Sequence, residues 1–279
     1  MKNASWPSLW LLALLLGGCS DDGLPVIDGG RESGLSDRGL GEGLSGDGLP
    51  GDTRPGDYRR GDGRRADQTP PSACSAGPTL LAKVNASRML ADLQQLTGME
   101  RTSAAGQAKA ATYLQQQLAP LGLQVKALTY SYKSATYTNV EATLPGVVPD
   151  RYVFIGAHFD AVSGSPGADD DGSGTVAVLE LARALSGCKL NRTVRFLFFS
   201  NEEAGTVGST QYVQGIKAST PPAQLLGFLN VDSIGWARAG EDIDLATRPV
   251  HAALVHDAAA SMAKWSSVPV RKVINDQCG

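Results

Sequence analysis

Between residues 77 and 279, short apolar runs alternate with longer segments in which apolar residues recur at helical spacing. Three of the runs are continuous and rich in β-branched and aromatic residues, which is typical of strands buried on both faces of a sheet. These predicted buried strands are Tyr152–Ala157, Thr193–Phe199 and Leu225–Val231. Strands that alternate with helices in this way predict an α/β fold with a largely parallel central sheet.

The remaining segments complete the predicted order of elements. Apolar residues on one helical face predict five helices, at Thr79–Thr97, Ser103–Leu118, Thr175–Leu185, Gly208–Ile216 and Val250–Lys264. Alternation and flanking turn residues predict three further strands, at Gln124–Tyr132, Thr136–Leu144 and Asp242–Thr247. All of these elements lie after residue 76, so one folded domain is predicted over residues 77–279.

Residues 1–19 have the features of an export signal. Lys2 precedes the apolar run Leu9–Leu16, which is shorter than the roughly 20 apolar residues that a membrane span requires. The stretch Leu16-Gly17-Gly18-Cys19 resembles the lipobox of bacterial lipoproteins, in which cleavage leaves the cysteine lipidated. We therefore expect a lipoprotein-type signal, with the lipid on Cys19 anchoring an exported chain to the membrane of the bacterial cell envelope. An ordinary signal peptide, with a periplasmic or secreted product, is the alternative.

Residues 20–76 differ in composition from the rest of the chain. They repeat Gly-Asp, Gly-Leu and Asp-Gly steps and contain no Ile, Val, Phe or Trp after Ile27. Such a segment cannot bury enough apolar surface to offset the conformational entropy that is lost on ordering. It is therefore predicted to be a disordered tether between the lipid anchor and the folded domain.

Composition excludes one class of partner and leaves the cysteine pairing open. The net charge is −3 and the pI is about 5.6, so no basic surface for nucleic acid is expected. With Cys19 assigned to the lipid, Cys74, Cys188 and Cys278 remain, and no Cys-x-x-Cys motif points to a thiolate zinc site. Export permits disulfides, of which Cys74–Cys188 is one candidate, but spacing alone does not fix the pairing.

Each predicted buried strand is followed by ionisable residues. His158 follows the first strand, with Asp170 between it and its helix. Glu202 and Glu203 follow the second strand, and Asp232 follows the third. Because parallel strands end at the same edge of a sheet, these side chains should meet there. Carboxylates this close repel one another unless a cation lies among them, so the pattern predicts a zinc site.

The chemistry of such a site assigns different tasks to neighbouring carboxylates. Two ions bridged by one carboxylate suit hydrolysis, and a free carboxylate beside them must take the proton of the attacking water. The pair Glu202-Glu203 meets this need if one residue binds metal and the other stays free. Asp169 and Asp171 are predicted to be loop and helix-start residues instead, because aspartate satisfies free N–H groups at helix N-termini.

Four motifs occur in a fixed order along the chain: HFD at 158–160, GADDDGSG at 167–174, SNEEAGTVGS at 200–209 and NVDSIG at 230–235. As an ordered set they resemble the co-catalytic zinc aminopeptidases of the bacterial leucyl aminopeptidase type, whose relatives include glutamate carboxypeptidase and the glutaminyl cyclases. The resemblance covers roughly Thr79–Gly279. It implies a three-layer α/β/α fold with a mixed, mostly parallel central sheet, as in zinc exopeptidases.

The resemblance also implies which residues would bind metal. His158 and Asp232 would bind one zinc ion, and Glu203 would bind a second. Asp170 would bridge the two ions, and its peptide bond to Asp171 is expected to be cis, as in some relatives.

Two further residues would act beside the ions by the same resemblance. Asp160 would orient His158 from behind. Glu202 would be the general base that takes a proton from water and passes it to the leaving amine.

The chain departs from the family pattern at its end. Family members complete the ligands of the second ion with a histidine in a Ser-Asp-His stretch, whereas this sequence stops after Asn275–Gly279. His251 and His256 lie on a predicted helix well before that position, and neither is expected to substitute. We therefore expect the domain to be C-terminally incomplete, without its last strand or helix, and the second zinc site to be in question.

The leading hypothesis is an exported, lipid-anchored zinc metallopeptidase that acts on peptide substrates as an aminopeptidase. One alternative with the same fold is a glutaminyl cyclase, which keeps one working zinc. Another is a catalytically inactive surface binding protein, if Gly279 is the natural end. The sequence predicts neither the preferred substrate residue nor the oligomeric state.

Overall fold

The computed structural model describes residue 74 and residues 77–148, 150–235 and 242–275. The predicted signal segment with Cys19, the predicted tether as far as residue 73, and residues 276–279 lie outside the described residues. Within the described ranges, no helix is long and apolar enough to cross a membrane.

Several helices begin at a polar residue whose side chain caps the first turn. The helices are α1 (Gly77–Leu81), α2 (Ala86–Thr97), α3 (Ala104–Leu118), α4 (Gly172–Leu185), α5 (Val207–Ile216) and α6 (Ala252–Trp265). Asn85, Ser103 and Asp171 precede α2, α3 and α4, and each side chain accepts a hydrogen bond from the backbone N–H three residues on. These contacts satisfy donors that have no partner inside a helix.

The main sheet has five strands in the order β1-β2-β4-β3-β5. The strands are β1 (Gln124–Tyr132), β2 (Ala135–Leu144), β3 (Tyr152–His158), β4 (Thr193–Phe199) and β5 (Leu225–Asn230). β1–β2 and β2–β4 are antiparallel, whereas β3 pairs in parallel with both β4 and β5. A separate parallel pair contains β6 (Ile243–Thr247) and β7 (Val270–Ile274). The sheet is therefore mixed, as the resemblance implied.

Helices cover both faces of the main sheet. On one face, α2, α3 and α4 contribute Leu96, Leu114 and Leu179 to the largest apolar core. On the other face, Tyr212 of α5 packs with Phe154, Leu197 and Phe199. These two cores give the predicted three layers, α/β/α. The smaller sheet has a core of its own with α6.

Two helix predictions are wrong in their bounds. The predicted helix Thr79–Thr97 is two helices, because Asn85 has an extended backbone and its side chain caps a new helix at residue 86. Helix α4 begins at Gly172, three residues before the predicted Thr175, because the Asp171 carboxylate accepts the N–H of Gly174 and so fixes the first turn.

Two strand predictions also differ from the structure. Leu225–Val231 was expected to be buried on both faces, but Leu226 and Phe228 are each 41% exposed. β5 has one neighbour, β3, within the described sheet, so it is an edge strand there. Strand β7 was not predicted, because its sequence VRKVI has charged residues at its centre.

A disulfide joins the start of the described chain to the end of α4. Cys74 and Cys188 are bonded across 114 residues of sequence, and both are buried in the largest core. The sequence offered this pairing as one candidate, and the structure selects it. The folded part therefore includes Cys74, which the predicted boundary had left in the tether.

Removal of this disulfide should reduce the free energy of unfolding by about 2–5 kcal/mol, because the bond restricts a long loop in the unfolded chain. The double variant Cys74→Ser, Cys188→Ser should be measured by urea unfolding in the presence of a metal chelator. Reductant should lower the stability of the wild type to that of the variant and leave the variant unchanged. A wild type whose stability does not respond to reductant would contradict the prediction.

Candidate metal centre

The carboxyl ends of three parallel strands meet at one edge of the main sheet. β3 lies between β4 and β5, and the register pairs His158 with Phe199 and Gly156 with Asn230. Residues 200–203 leave β4 and residues 231–232 leave β5 on either side of His158. The structure thus brings the predicted site residues to one edge, as the parallel order of these strands requires.

Carboxylates surround the His158 imidazole. Its Nε2 atom lies 3.0 Å from Asp170 Oδ1 and 3.9 Å from both Glu202 Oε2 and Asp232 Oδ2. Its Nδ1 atom lies 3.4 Å from Asp160 Oδ1 and makes no well-formed hydrogen bond with the described residues. The imidazole is 3% exposed, whereas the Asp170 carboxylate is 59% exposed. A buried nitrogen donor therefore faces carboxylates that are open to solvent.

These donors fit zinc. Two sets of three residues have ligand atoms that all lie within 4.8 Å of one another: His158, Asp171 and Asp232, and His158, Asp170 and Glu203. A tetrahedral ion with bonds of about 2.0–2.2 Å holds its ligands about 3.3–3.6 Å apart. The separations of 3.0–3.9 Å around Nε2 span that range. One imidazole with several carboxylates is also a donor set that zinc accepts.

The carboxylates make this edge favourable for positive charge. Burial by itself lowers the pKa of His158, but the close Asp170 carboxylate and the negative charges of Asp160 and Asp171 raise it to about 11. Burial raises the pKa of Glu202 and of Glu203, and neighbouring carboxylates add to the effect. The neighbouring carboxylates thus act in the same direction on all three groups, and a divalent cation would neutralise their negative charge.

Asp160 holds the Glu202-Glu203 pair as well as facing His158. Its Oδ1 atom accepts the N–H of Glu202 at 3.0 Å, and its Oδ2 atom accepts the N–H of Glu203 at 3.1 Å. The side chain is 2% exposed. One buried carboxylate thus couples the imidazole to the backbone that carries both glutamates, a second task that the sequence did not indicate.

Asp171 has the structural task that the sequence assigned to it. Its Oδ2 atom accepts the N–H of His158 at 3.2 Å, and its Oδ1 atom accepts those of Gly174 at 2.8 Å and Ser233 at 3.3 Å. Complete burial raises the pKa of this carboxyl group, while His158 and the donated N–H groups act in the opposite direction. Although Asp171 lies close enough to be a ligand, its oxygens are already engaged by backbone donors.

Asp170 differs from Asp171 in its hydrogen bonds and in its exposure to solvent. Its carboxylate accepts no backbone hydrogen bond among the described residues, and its Oδ1 atom lies 3.0 Å from His158 Nε2. The peptide bond between Asp170 and Asp171 is cis, as the resemblance implied. The Asp170 side chain is 59% exposed, whereas Asp171 is completely buried.

Asp169 and Ser173 hold the segment that follows Asp232. Asp169 Oδ1 accepts the N–H of Gly235 at 2.6 Å, and Ser173 Oγ accepts the N–H of Ile234 at 2.9 Å. Ser173 Oγ also donates to the Asp169 backbone carbonyl at 2.8 Å. The start of α4 is thus bonded directly to the chain that leaves β5.

Three polar side chains from other elements hold the turn before Glu202, and the sequence analysis missed all of them. Gln107 of α3 exchanges hydrogen bonds with Asn201 through both its amide atoms, each at 3.2 Å. Asn139 of β2 accepts the N–H of Ser200 at 3.0 Å, and the Tyr130 hydroxyl accepts from Asn201 Nδ2 at 3.2 Å. Gln107 offered one signal in the sequence, because it falls on the apolar face of its predicted helix.

The remaining histidines are not part of the site. His251 ends a short 3-10 turn and His256 lies within α6, where both are exposed. Neither belongs to a group of potential metal ligands among the described residues.

The fold and the site together define an α/β protein of the zinc-exopeptidase type, with one histidine and several carboxylates at the ends of parallel strands. The chain belongs to Peptidase family M28, whose family model matches residues 139–278. The match covers about half of the chain and includes all of the predicted metal ligands. The family that the ordered motifs suggested is therefore confirmed.

Individual relatives are similar over parts of the chain. Leupeptin-inactivating enzyme 1 of Streptomyces exfoliatus is 34% identical over 61% of this chain and 40% of its own length. An aminopeptidase of Pseudomonas aeruginosa is 41% identical over 40% of this chain and 20% of its own length. The chain thus spans less than half the length of these relatives. The crystal structure of the LapA aminopeptidase of Legionella pneumophila shares the fold, with a TM-score of 0.62 at 21% identity over 72% of this chain and 58% of that one.

The variant Asp171→Ala should lower the free energy of unfolding by about 2–5 kcal/mol, because it leaves buried N–H groups at the ends of β3, α4 and β5 without their acceptor. Urea unfolding of the metal-free protein measures the loss. The exposed α6 residue Asp257 provides the control, since Asp257→Ala should change stability by no more than about 0.5 kcal/mol. Equal effects of the two substitutions would refute the structural role of Asp171.

Proposed function

We propose that this chain is an exported, metal-dependent exopeptidase, an aminopeptidase that hydrolyses peptide bonds with Glu202 as the general base. The observation that carries the proposal is the position of Glu202, whose Oε2 atom lies 3.9 Å from His158 Nε2 at the edge with both potential ligand sets. Membership of Peptidase family M28 and the aminopeptidases among its relatives support the same reaction class.

In this proposal, His158 and Asp232 would hold one zinc ion, Glu203 would hold a second, and Asp170 would contribute to both. The two sets of close ligand atoms support this assignment, with Asp170 in place of Asp171 in the first set because the Asp171 oxygens are engaged by backbone N–H groups. Zinc at these positions would polarise the carbonyl of the scissile bond and lower the pKa of the attacking water.

Glu202 is suited to move the proton. Its side chain is 36% exposed, so water and substrate can reach it, and its backbone is fixed by the Asp160 carboxylate. Burial raises the pKa of Glu202, which makes its carboxylate a better proton acceptor. Glu202 would take the proton from water and deliver it to the amine that leaves.

Export of the chain is part of the proposal. The Cys74–Cys188 disulfide supports it, because such bonds form and persist in oxidising compartments. The lipobox-like stretch that ends at Cys19 would attach the exported chain to the membrane of the cell envelope through a lipid. Peptides outside the cytoplasm would then be the substrates.

The variant Glu202→Gln should lose about 10²–10⁴-fold in kcat, because the amide cannot accept the proton. Its fold and zinc content should match the wild type. Turnover of an aminoacyl p-nitroanilide measures kcat, and metal analysis with circular dichroism measures the other two properties.

Glu203→Gln is the matched control for this experiment, since it makes the same chemical change one residue away. It should reduce zinc content, because in the proposal Glu203 binds metal and Glu202 does not. Near-normal turnover of Glu202→Gln, or loss of zinc from it, would refute the assignment of the general base.

The protein should bind two zinc ions per chain, which metal analysis after dialysis measures. The ligand set of His158, Asp170 and Glu203, in addition to Asp232, favours two ions over one. A single ion with cyclisation of an N-terminal glutaminyl peptide would instead support a glutaminyl cyclase. Bound metal without either activity would support a non-catalytic binding protein.

A further inference from the structure

Arg101 is a buried cation behind the metal centre. The residue is 1% exposed and ranks among the largest fully buried side chains of the described residues. Its Nη1 atom donates to the backbone carbonyl of Phe159 at 2.8 Å. Its Nη2 atom donates to those of Pro166 at 2.8 Å and Gly167 at 2.6 Å. The guanidinium thus bonds three carbonyl groups and no carboxylate within the described chain.

The three carbonyl groups belong to the two ends of one loop. This loop, residues 161–169, connects Asp160 to Asp170, so Phe159 lies just before it and Gly167 lies near its end. The Gly167 carbonyl also accepts the N–H of Gly172 at 3.0 Å, in the first turn of α4. Arg101 therefore fixes the distance between the strand that carries His158 and the turn that carries Asp170.

The loop approaches Arg101 so closely that residue 167 must be glycine. A Cβ atom at Gly167 would lie 2.7 Å from Arg101 Nη2 and 2.6 Å from the Cβ atom of Ala161. The φ angle of Gly167 is +59°, in the left-handed region that favours glycine. The chain is thus shaped to receive the guanidinium at this point.

The backbone around Arg101 is itself held in place. The Glu100 carboxylate accepts the N–H groups of Thr102 at 2.9 Å and Ser103 at 3.0 Å. Gly106 permits α3 to approach this segment, because a Cβ atom there would overlap the Glu100 carbonyl oxygen at 1.3 Å. Arg101 is therefore presented from the start of α3 by an ordered turn.

The charge of Arg101 complements two carboxylates that the proposed function leaves free of metal. Burial lowers the pKa of Arg101, and the charges of Asp171 and Asp160 oppose that effect. Arginine stays charged at such sites, and a buried charge is costly unless opposite charge lies near it. Asp160 and Asp171 are 2% and 0% exposed, so these buried carboxylates also need opposite charge near them. Arg101 supplies positive charge near both carboxylates without a metal ion.

We propose that Arg101 is a positioning residue of the metal centre, which joins both ends of the 161–169 loop and so sets Asp170 against His158 before metal binds. The inference rests on the proposed function in one point, that zinc binds at the carboxyl ends of the parallel strands. It makes zinc affinity, and not only stability, depend on a residue that contacts no ligand atom.

The test compares Arg101→Met with Arg183→Met in the full chain. Arg183 of α4 is also an arginine of low exposure, paired with Asp92 of α2 and Glu180 of α4. It lies about 18 Å along α4 from Asp171. Arg101→Met should raise the zinc dissociation constant about 10- to 100-fold, the range found when residues that orient ligands are changed. Arg183→Met should leave the constant within about twofold of the wild type, although it too removes buried contacts.

Zinc affinity is measured by competition with a chromophoric chelator, under conditions in which circular dichroism shows each variant to be folded. Arg101→Lys separates the guanidinium geometry from its charge, because lysine keeps the charge but cannot bond both ends of the loop. It should bind zinc more weakly than the wild type, and it provides a second measurement if the Met variant does not fold.

Three results would overturn the inference. They are wild-type zinc affinity in both Arg101 variants, full restoration of affinity by lysine, and an equal loss of affinity in Arg183→Met. If the wild type binds zinc, none of these three results contradicts the proposed function. A wild type that binds no zinc would overturn both together.

Discussion

The metal centre depends on one buried carboxylate, that of Asp171, which accepts backbone N–H groups from three different elements. His158 ends β3, Gly174 lies in the first turn of α4, and Ser233 follows Asp232 after β5. Because Asp171 bonds all three, it fixes the relative position of the imidazole, the start of α4 and the third strand end. These are the places from which His158, Asp170 and Asp232 project. Loss of this acceptor would leave buried donors unsatisfied at every one of them.

The acidic residues of this edge divide into two groups by their hydrogen bonds. Asp160 and Asp171 are buried and accept backbone N–H groups through both oxygens, so they organise the chain. The Asp170 and Glu202 carboxylates accept no such bonds among the described residues and are 59% and 36% exposed. Free oxygens that point to solvent are available to a cation or to a proton in transfer. The hydrogen-bond partners of each carboxylate therefore separate supporting groups from groups that can do chemistry.

Much of the site was accessible from the sequence because it follows from the strand pattern. Apolar runs located β3, β4 and β5, and the edge rule for parallel strands placed His158 and Glu203 together. The supporting contacts were not accessible, since Arg101 and Gln107 reach the site from a segment that precedes every strand. The edge position of β5 was also not predicted. The burial of a strand depends on which strands lie beside it, and the composition of the strand does not specify those neighbours. Local pattern thus predicts elements and their ends, whereas contacts between distant segments require the folded chain.

The balance of charge explains why those distant contacts matter. A cluster of carboxylates around one imidazole favours cations, but the same repulsion would push the strand ends apart in a chain without metal. Backbone N–H groups and the charge of the Arg101 guanidinium act on Asp160 and Asp171 inside the domain, whereas the Asp170 and Glu202 carboxylates are exposed to solvent. In the proposed function, this division places the charge that would bind metal on the exposed side of the site.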